Sequence, residues 1–343
     1  MSVAKGRALG YNFGMSWNIL GHEWAVSLLQ NTLQQGEPHH AYLFTGRGGV
    51  GRRTLALRLA QAINCTQPPE TGVPCGQCRA CRLIAQMQHP DLSVVQAENE
   101  GGTLKVEQVR ELQHSLALAP YEARYRVALL LRFEEAHPSA ANALLKTLEE
   151  PPGRVILLLT ASDGESLLPT ILSRCEVLRL RPPSRAVVAQ HLVAQYGCEL
   201  AQANLLANLS DGCPGVAVRL LENPQTLEQR DQWLAEHLAL LHASRAERFG
   251  YAEKLSKDKT TLRPALLTWL SLWRDILLQA AGAAAPISNA HLRAQISELA
   301  QKIGLPRARQ FVQRLERAFE QLDHNVNPKL LLEVVLLDLP HIR

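Results

Sequence analysis

Hydrophobic positions along this chain alternate between two spacings, and the alternation outlines its elements. Over 17–35 (WNILGHEWAVSLLQNTLQQ) apolar residues recur at helical intervals, which predicts a helix. HHAYLFTG follows, a short apolar run closing at Gly46 that predicts a buried strand. The glycine-rich turn GRGGVG then leads into TLALRLAQAIN, a second predicted helix. Further apolar runs at 92–97, 126–131, 154–160 and 176–181 read as strands. Between them lie LKVEQVRELQHSL, with Val106, Val109, Leu112 and Leu116 on one face, then SAANALLKTLEE, stopped by Pro151 and Pro152, and the short LPTILSRC. Five apolar strands alternating with helices imply an α/β domain whose parallel five-stranded sheet is covered on both faces.

Pro182 and Pro183 end that unit. Residues 184–222 predict three short helices, and 225–339 predict helix throughout, broken at Pro264, Gly282–Pro286, Pro306 and Pro328. The expected plan is an extension at 1–14 and an α/β domain at 15–183 with an insert at 64–91. A small helical region at 184–224 and an all-α domain at 225–343 complete it.

Composition narrows the class. Of 343 residues 46% are hydrophobic and 20% charged, so globular cores are expected. The net charge of +4 permits contact with nucleic acid without arguing for it. No apolar run approaches a membrane span, and MSVAKGRALGYNFG has no signal-peptide core, so a cytoplasmic protein is expected. Met15 stands as an alternative start, since patterned sequence begins only at Trp17.

The turn after the first strand carries damaged chemistry. Gly46–Thr54 reads G-R-G-G-V-G-R-R-T against the working phosphate-loop pattern G-x-x-x-x-G-K-[ST]. Gly46 and Gly51 are kept, so backbone N–H groups are still expected to curl around an anion. Arg52 stands in the lysine position and Arg53 in that of the magnesium-binding hydroxyl, while Thr54 comes one residue late. A guanidinium has no acceptor and repels the metal that phosphoryl transfer needs. Such an ATPase also ends its third strand in acids. Counting back from Asn142 puts Leu131 at the metal-binding position, and Glu134 and Glu135 read as the solvated start of a helix. Two elements of hydrolysis are thus missing.

Four of the seven cysteines cluster as Cys65-x9-Cys75-x2-Cys78-x2-Cys81. Four thiolates at this spacing suit a closed, structural tetrahedral zinc site. C-x2-C-x2-C also opens ferredoxin motifs, but these need a fourth cysteine soon after the third, and RLIAQ follows Cys81. Taken alone, Arg174 reads as a surface arginine paired with an acid such as Glu176.

HHAYLFTG, NALLKTLEEPP (142–152) and LPTILSRC (168–175) are specific when found together, and the cysteine insert agrees with them. On these strings the chain resembles the bacterial clamp-loader branch of AAA+ proteins, and within it a member with a broken phosphate loop. The likeness is strong over 17–181, weakens afterwards and returns at NVNPKLLLEVVLLDL. It implies a RecA-like AAA+ domain with a zinc insert, a helical lid and an all-α collar for oligomerisation. A sensor-1 residue would fall near Thr160–Ser162. The lid arginine would fall near Gly215, where none stands; Arg219 is four residues later.

The resemblance further implies that Arg174, in Ser173-Arg174-Cys175, is an arginine finger acting in trans on ATP bound by a neighbouring subunit. The implied partners are ATPase subunits of the gamma/tau kind, a delta-like subunit, a sliding clamp, and primed DNA met through its backbone. Two other functions compete. One is an active ATPase motor using Arg52, Thr54 and Glu134; the other is a zinc-dependent nucleic-acid-binding module.

Overall fold

A computed structural model describes residues 17–342, apart from 37, 100, 324 and 325. The expected extension at 1–14 lies outside the described residues. The chain divides into two compact units. The first holds the residues up to Ser184 together with Cys213–Gly215, and the second holds Arg185–Gly212 and the residues from Val216 onward.

The first unit opens with helix α1 (Glu23–Gln35) and strand β1 (Ala41–Thr45), then α2 (Arg52–Asn64) and α3 (Arg79–Ala85). It continues with β2 (Leu92–Val95), α4 (Val106–Leu116), β3 (Arg126–Leu130) and α5 (Pro138–Glu149). β4 (Val155–Ala161), the short α6 (Pro169–Leu172) and β5 (Glu176–Arg179) complete it. Helix α1 starts six residues later than its apolar spacing suggests. Asn18 and Gly21 take left-handed backbone conformations that a helix excludes, and a Cβ on Gly21 would lie 2.5 Å from the Pro183 ring.

All strand pairings are parallel, in the order β2-β3-β4-β1-β5. Period-two alternation splits the interior into two cores. Tyr42, Phe44, Leu129, Ile156 and Leu158 face α1 and α2 through Leu29, Leu55 and Leu59. Leu43, Leu130, Leu157 and Leu159 face α4 and α5 through Val109, Leu112, Leu144 and Leu148. Both faces are covered, which is why every residue of β1 and β4 is buried. Connections leave β1 towards one edge and reach β5 at the other. The direction of winding therefore reverses beside β1, and the carboxyl ends of the strands there are where such sheets place ligands.

One buried acid pins the end of the insert to the sheet. Asp91 accepts backbone N–H groups from Tyr121 (2.7 Å), Glu122 (2.9 Å) and Ala123 (2.9 Å), and Arg126 pairs with it at 3.3 Å.

The second unit is helical: α7 (Arg185–Tyr196), α8 (Leu200–Leu209), α9 (Pro214–Glu222), α10 (Pro224–Leu240), α11 (Arg245–Ser256), α12 (Lys259–Ala280), α13 (Arg293–Asp323) and α14 (Pro328–Leu337). Pro264 does not break its helix, contrary to expectation. It sits in the second turn of α12, where its missing N–H leaves a single carbonyl, that of Thr260, without a helical donor, and the Thr268 hydroxyl donates to the Pro264 carbonyl at 2.9 Å. The break in α13 falls at Gly304, with φ 75°, just before Pro306.

Trp233, Trp269, Trp273 and Phe311 fill the core, and His237 stacks on Trp269 with ring centres 4.4 Å apart. Trp273 Nε1 donates to His237 Nε2 at 2.8 Å. Complete burial, followed by the nearby Arg248 charge, brings the pKa of His237 down to about 3. Arg248, itself buried, donates to the carbonyls of Leu240 (3.0 Å), Leu336 (3.1 Å), Leu339 (2.7 Å) and Pro340 (3.3 Å).

Candidate functional site

The glycine loop lies at the carboxyl end of β1. Gly46 N–H donates to the carbonyls of Ala161 (3.2 Å) and Ser162 (3.1 Å), which fastens the loop to β4. Gly46 has φ 144°, and a Cβ there would sit 2.4 Å from the Leu180 carbonyl oxygen, so only glycine fits. Gly51, with φ 115°, caps α2. Buried His22 bonds the Val50 carbonyl through Nε2 at 2.8 Å. Gly215, near the expected lid arginine, donates its N–H to the Gly49 carbonyl at 2.8 Å.

The first turn of α2 holds Arg52 and Arg53 and no acid, so two cations stand at the positive end of the helix dipole. Glu134 compensates. Its Oε1 lies 3.9 Å from an Arg52 terminal nitrogen and accepts the Ser162 N–H at 3.1 Å. Glu135 accepts from Arg132 Nε and from the Gly101 N–H, both at 2.9 Å. The reading of Glu134 and Glu135 as a solvated helix start is therefore corrected. They belong to a tucked 3-10 turn (Phe133–Glu135), with side chains only 21% and 11% exposed. Bonds to distant groups draw them in, and adjacent sequence does not reveal those groups.

Leu131 is buried, Arg53 and Thr54 are exposed, and the Thr160 hydroxyl accepts the Arg132 N–H at 3.0 Å. The end of β3 and the start of α2 therefore offer neither an acidic side chain at Leu131 nor a hydroxyl at Arg53.

On another side of the sheet unit, a groove of about 580 Å3 is lined by His39, His40, Leu148, Glu149 and Ser173–Glu176. Arg174 follows the short helix α6. It donates to the Thr170 carbonyl at 2.9 Å and pairs with Glu149 at 2.7 Å. Glu176, the acid expected beside it, instead pairs with His39 at 2.9 Å. Sequence reasoning missed Glu149. Its only signal was membership of the NALLKTLEEPP string, to which no role had been attached.

The four cysteines converge, with their sulfurs all within 4.8 Å of one another. Cys65–Cys78 and Cys75–Cys81 are each 4.0 Å apart. A tetrahedral ion with bonds of about 2.3 Å needs sulfurs about 3.8 Å apart, so the set fits one. Backbone N–H groups of Cys75, Cys78 and Cys81 point at neighbouring sulfurs over 3.2–3.4 Å, as suits thiolates. Burial pushes the Cys78 thiol up, but hydrogen bonds from Thr66 and the Cys81 backbone outweigh it and bring the pKa to about 6.

Sheet order, glycine loop and helical second unit define an AAA+-type α/β protein. Comparison with known proteins agrees. Residues 21–184 match the family model "DNA polymerase III, delta subunit", and residues 224–341 match its C-terminal counterpart. The DNA polymerase III subunit delta' of Escherichia coli K12 is 32% identical over 90% of this chain and 91% of its own length. The chain belongs to the delta' family of DNA polymerase III clamp-loader subunits. The tau/gamma subunit of Haemophilus influenzae is 38% identical over 51% of this chain, which spans only 25% of that longer relative. A gamma-subunit-related protein of Thermotoga maritima aligns over 91% of this chain and 97% of its own, at 18% identity and a TM-score of 0.44. Among the described residues, no helix is long and apolar enough to cross a membrane.

Proposed function

We propose that this chain is a non-hydrolysing subunit of a clamp loader and lends Arg174 in trans to ATP held by a neighbouring ATPase subunit. The observation that carries the reading is the contrast between two arginines. Arg52 occupies the lysine position of the chain's own loop beside Glu134, whereas Arg174 stands one-third exposed on a polar groove. A planar cation set against developing phosphate charge accelerates transfer by orders of magnitude, and this chain's own site has no magnesium ligands to use it.

The assembled loader would open a sliding clamp and close it on primed DNA, with DNA contact confined to phosphates. Its partners would be gamma/tau-like ATPase subunits and a delta-like subunit, in the cytoplasm. Its working parts are a sheet domain (15–183), a lid (184–224) and a collar (225–343) through which subunits assemble. The phosphate loop (Gly46, Gly51, Arg52, Arg53, Thr54) is vestigial.

The test is ATP binding and hydrolysis by the purified chain alone, with magnesium and primed DNA present. Neither is expected. Hydrolysis that stops on Thr54→Ala or Glu134→Ala would make the chain a motor subunit instead.

The cysteines Cys65, Cys75, Cys78 and Cys81 would hold a structural zinc ion and brace the insert. With four protein ligands no position is left for substrate. Cys78→Ser is expected to take zinc, measured by plasma mass spectrometry, from about one per chain to near zero. Proteolysis at 64–91 should quicken while far-ultraviolet circular dichroism keeps the sheet signal. Equal zinc in variant and parent would remove the assignment.

A further inference from the structure

We infer that Glu149 is the positioning residue for Arg174: it holds the guanidinium as a stand-in for the phosphate oxygen and yields it when nucleotide arrives. The inference rests on the trans role proposed above. Arg174 is held from two places that differ in kind. The bonds to the Thr170 carbonyl, at 2.9 Å, and to the Ser173 hydroxyl, at 3.3 Å, stay within the turn that carries Arg174 and set the direction of the side chain. The contact with Glu149, at 2.7 Å, comes from the last residue of α5, a separate element.

A guanidinium edge meets a carboxylate and a phosphate with the same geometry, so the two compete for it. The Arg174 and Glu149 side chains are 33% and 51% exposed, so water weakens their pair and an arriving anion can displace the acid. Glu176 shares the groove but is engaged by His39 at 2.9 Å. Glu149 is thus the acid an incoming phosphate must exchange with. Such exchange sets how readily nucleotide is held at the shared site and leaves the chemistry after capture unchanged, so its signature lies in KM.

The experiment measures ATP turnover by the complex of the full chain with its ATPase subunit, using Glu149→Gln, Arg174→Ala and the double variant. Glu149→Gln is expected to lower KM for ATP about three- to fivefold, the scale of one exposed ion pair, with kcat within about twofold of the parent. In the Arg174→Ala background, Glu149→Gln should change neither constant. A fall in kcat at constant KM would make Glu149 a rigid brace and overturn the exchange. Parental kinetics for Glu149→Gln, in a complex that Arg174→Ala slows, would also overturn it while leaving the trans role intact. Parental turnover by Arg174→Ala would remove the trans role, and Glu149 with it. Thermal melting of Glu149→Gln close to the parent establishes that the fold is kept.

Discussion

Replacing Arg174 with alanine will slow ATP hydrolysis in the loader complex by about a thousandfold at the adjoining site, the low end of what an arginine finger contributes. The chain itself should stay folded. Arg174 is one-third exposed and held by one carbonyl, the adjacent Ser173 hydroxyl and one exposed carboxylate, so its loss costs at most about 1 kcal/mol of stability. Arg174→Lys should recover little, because a point charge cannot offer two parallel N–H groups to one phosphate. Single-turnover hydrolysis, with gel filtration to establish that the complex still assembles, reads the effect. A thousandfold loss accompanied by dissociation would point to an interface residue instead.

Asp91→Ala should destabilise the first unit by about 3–5 kcal/mol, because it leaves a nearly buried Arg126 with only the Ser115 carbonyl and strands three backbone N–H groups. Burial alone would raise the Asp91 pKa. The N–H groups of Glu122, Tyr121 and Ala123, with Arg126, outweigh it and hold the carboxyl below the usual carboxylate range. A lowered folded-state pKa gives a definite sign. The contribution is complete above the unfolded value of about 4 and is lost as pH falls through the folded one. Thermal melts should therefore show the parent losing stability below about pH 4. Asp91→Asn should start lower and lack that component of the acid loss. Parallel curves for the two proteins would mean that Asp91 does not titrate as described.

Much of this was readable in the chain. The strands of the sheet unit declared themselves because parallel strands buried on both faces are continuous apolar runs, whereas α3, inside the cysteine insert, did not. The cysteine cluster was legible because its ligands sit close in sequence. What escaped was pairing at a distance. Glu134 reaches Arg52 across 82 positions, and Glu149 reaches Arg174 across 25; neither separation has a sequence period. Proline was over-read for the same reason. At Pro264 the cost depends on where in its helix the residue falls, which composition does not say.

Arg248 carries a consequence for the order in which the chain is made. Three of its four carbonyl acceptors lie 88 to 92 residues downstream, at Leu336, Leu339 and Pro340. Until those residues leave the ribosome, a guanidinium charge in the forming second core has only the Leu240 carbonyl to satisfy it. The five strands of the first unit are all synthesised long before and can close early. Completion of the helical unit therefore waits on residues 336–340, so a chain stalled before them presents a finished sheet domain joined to an open helical core.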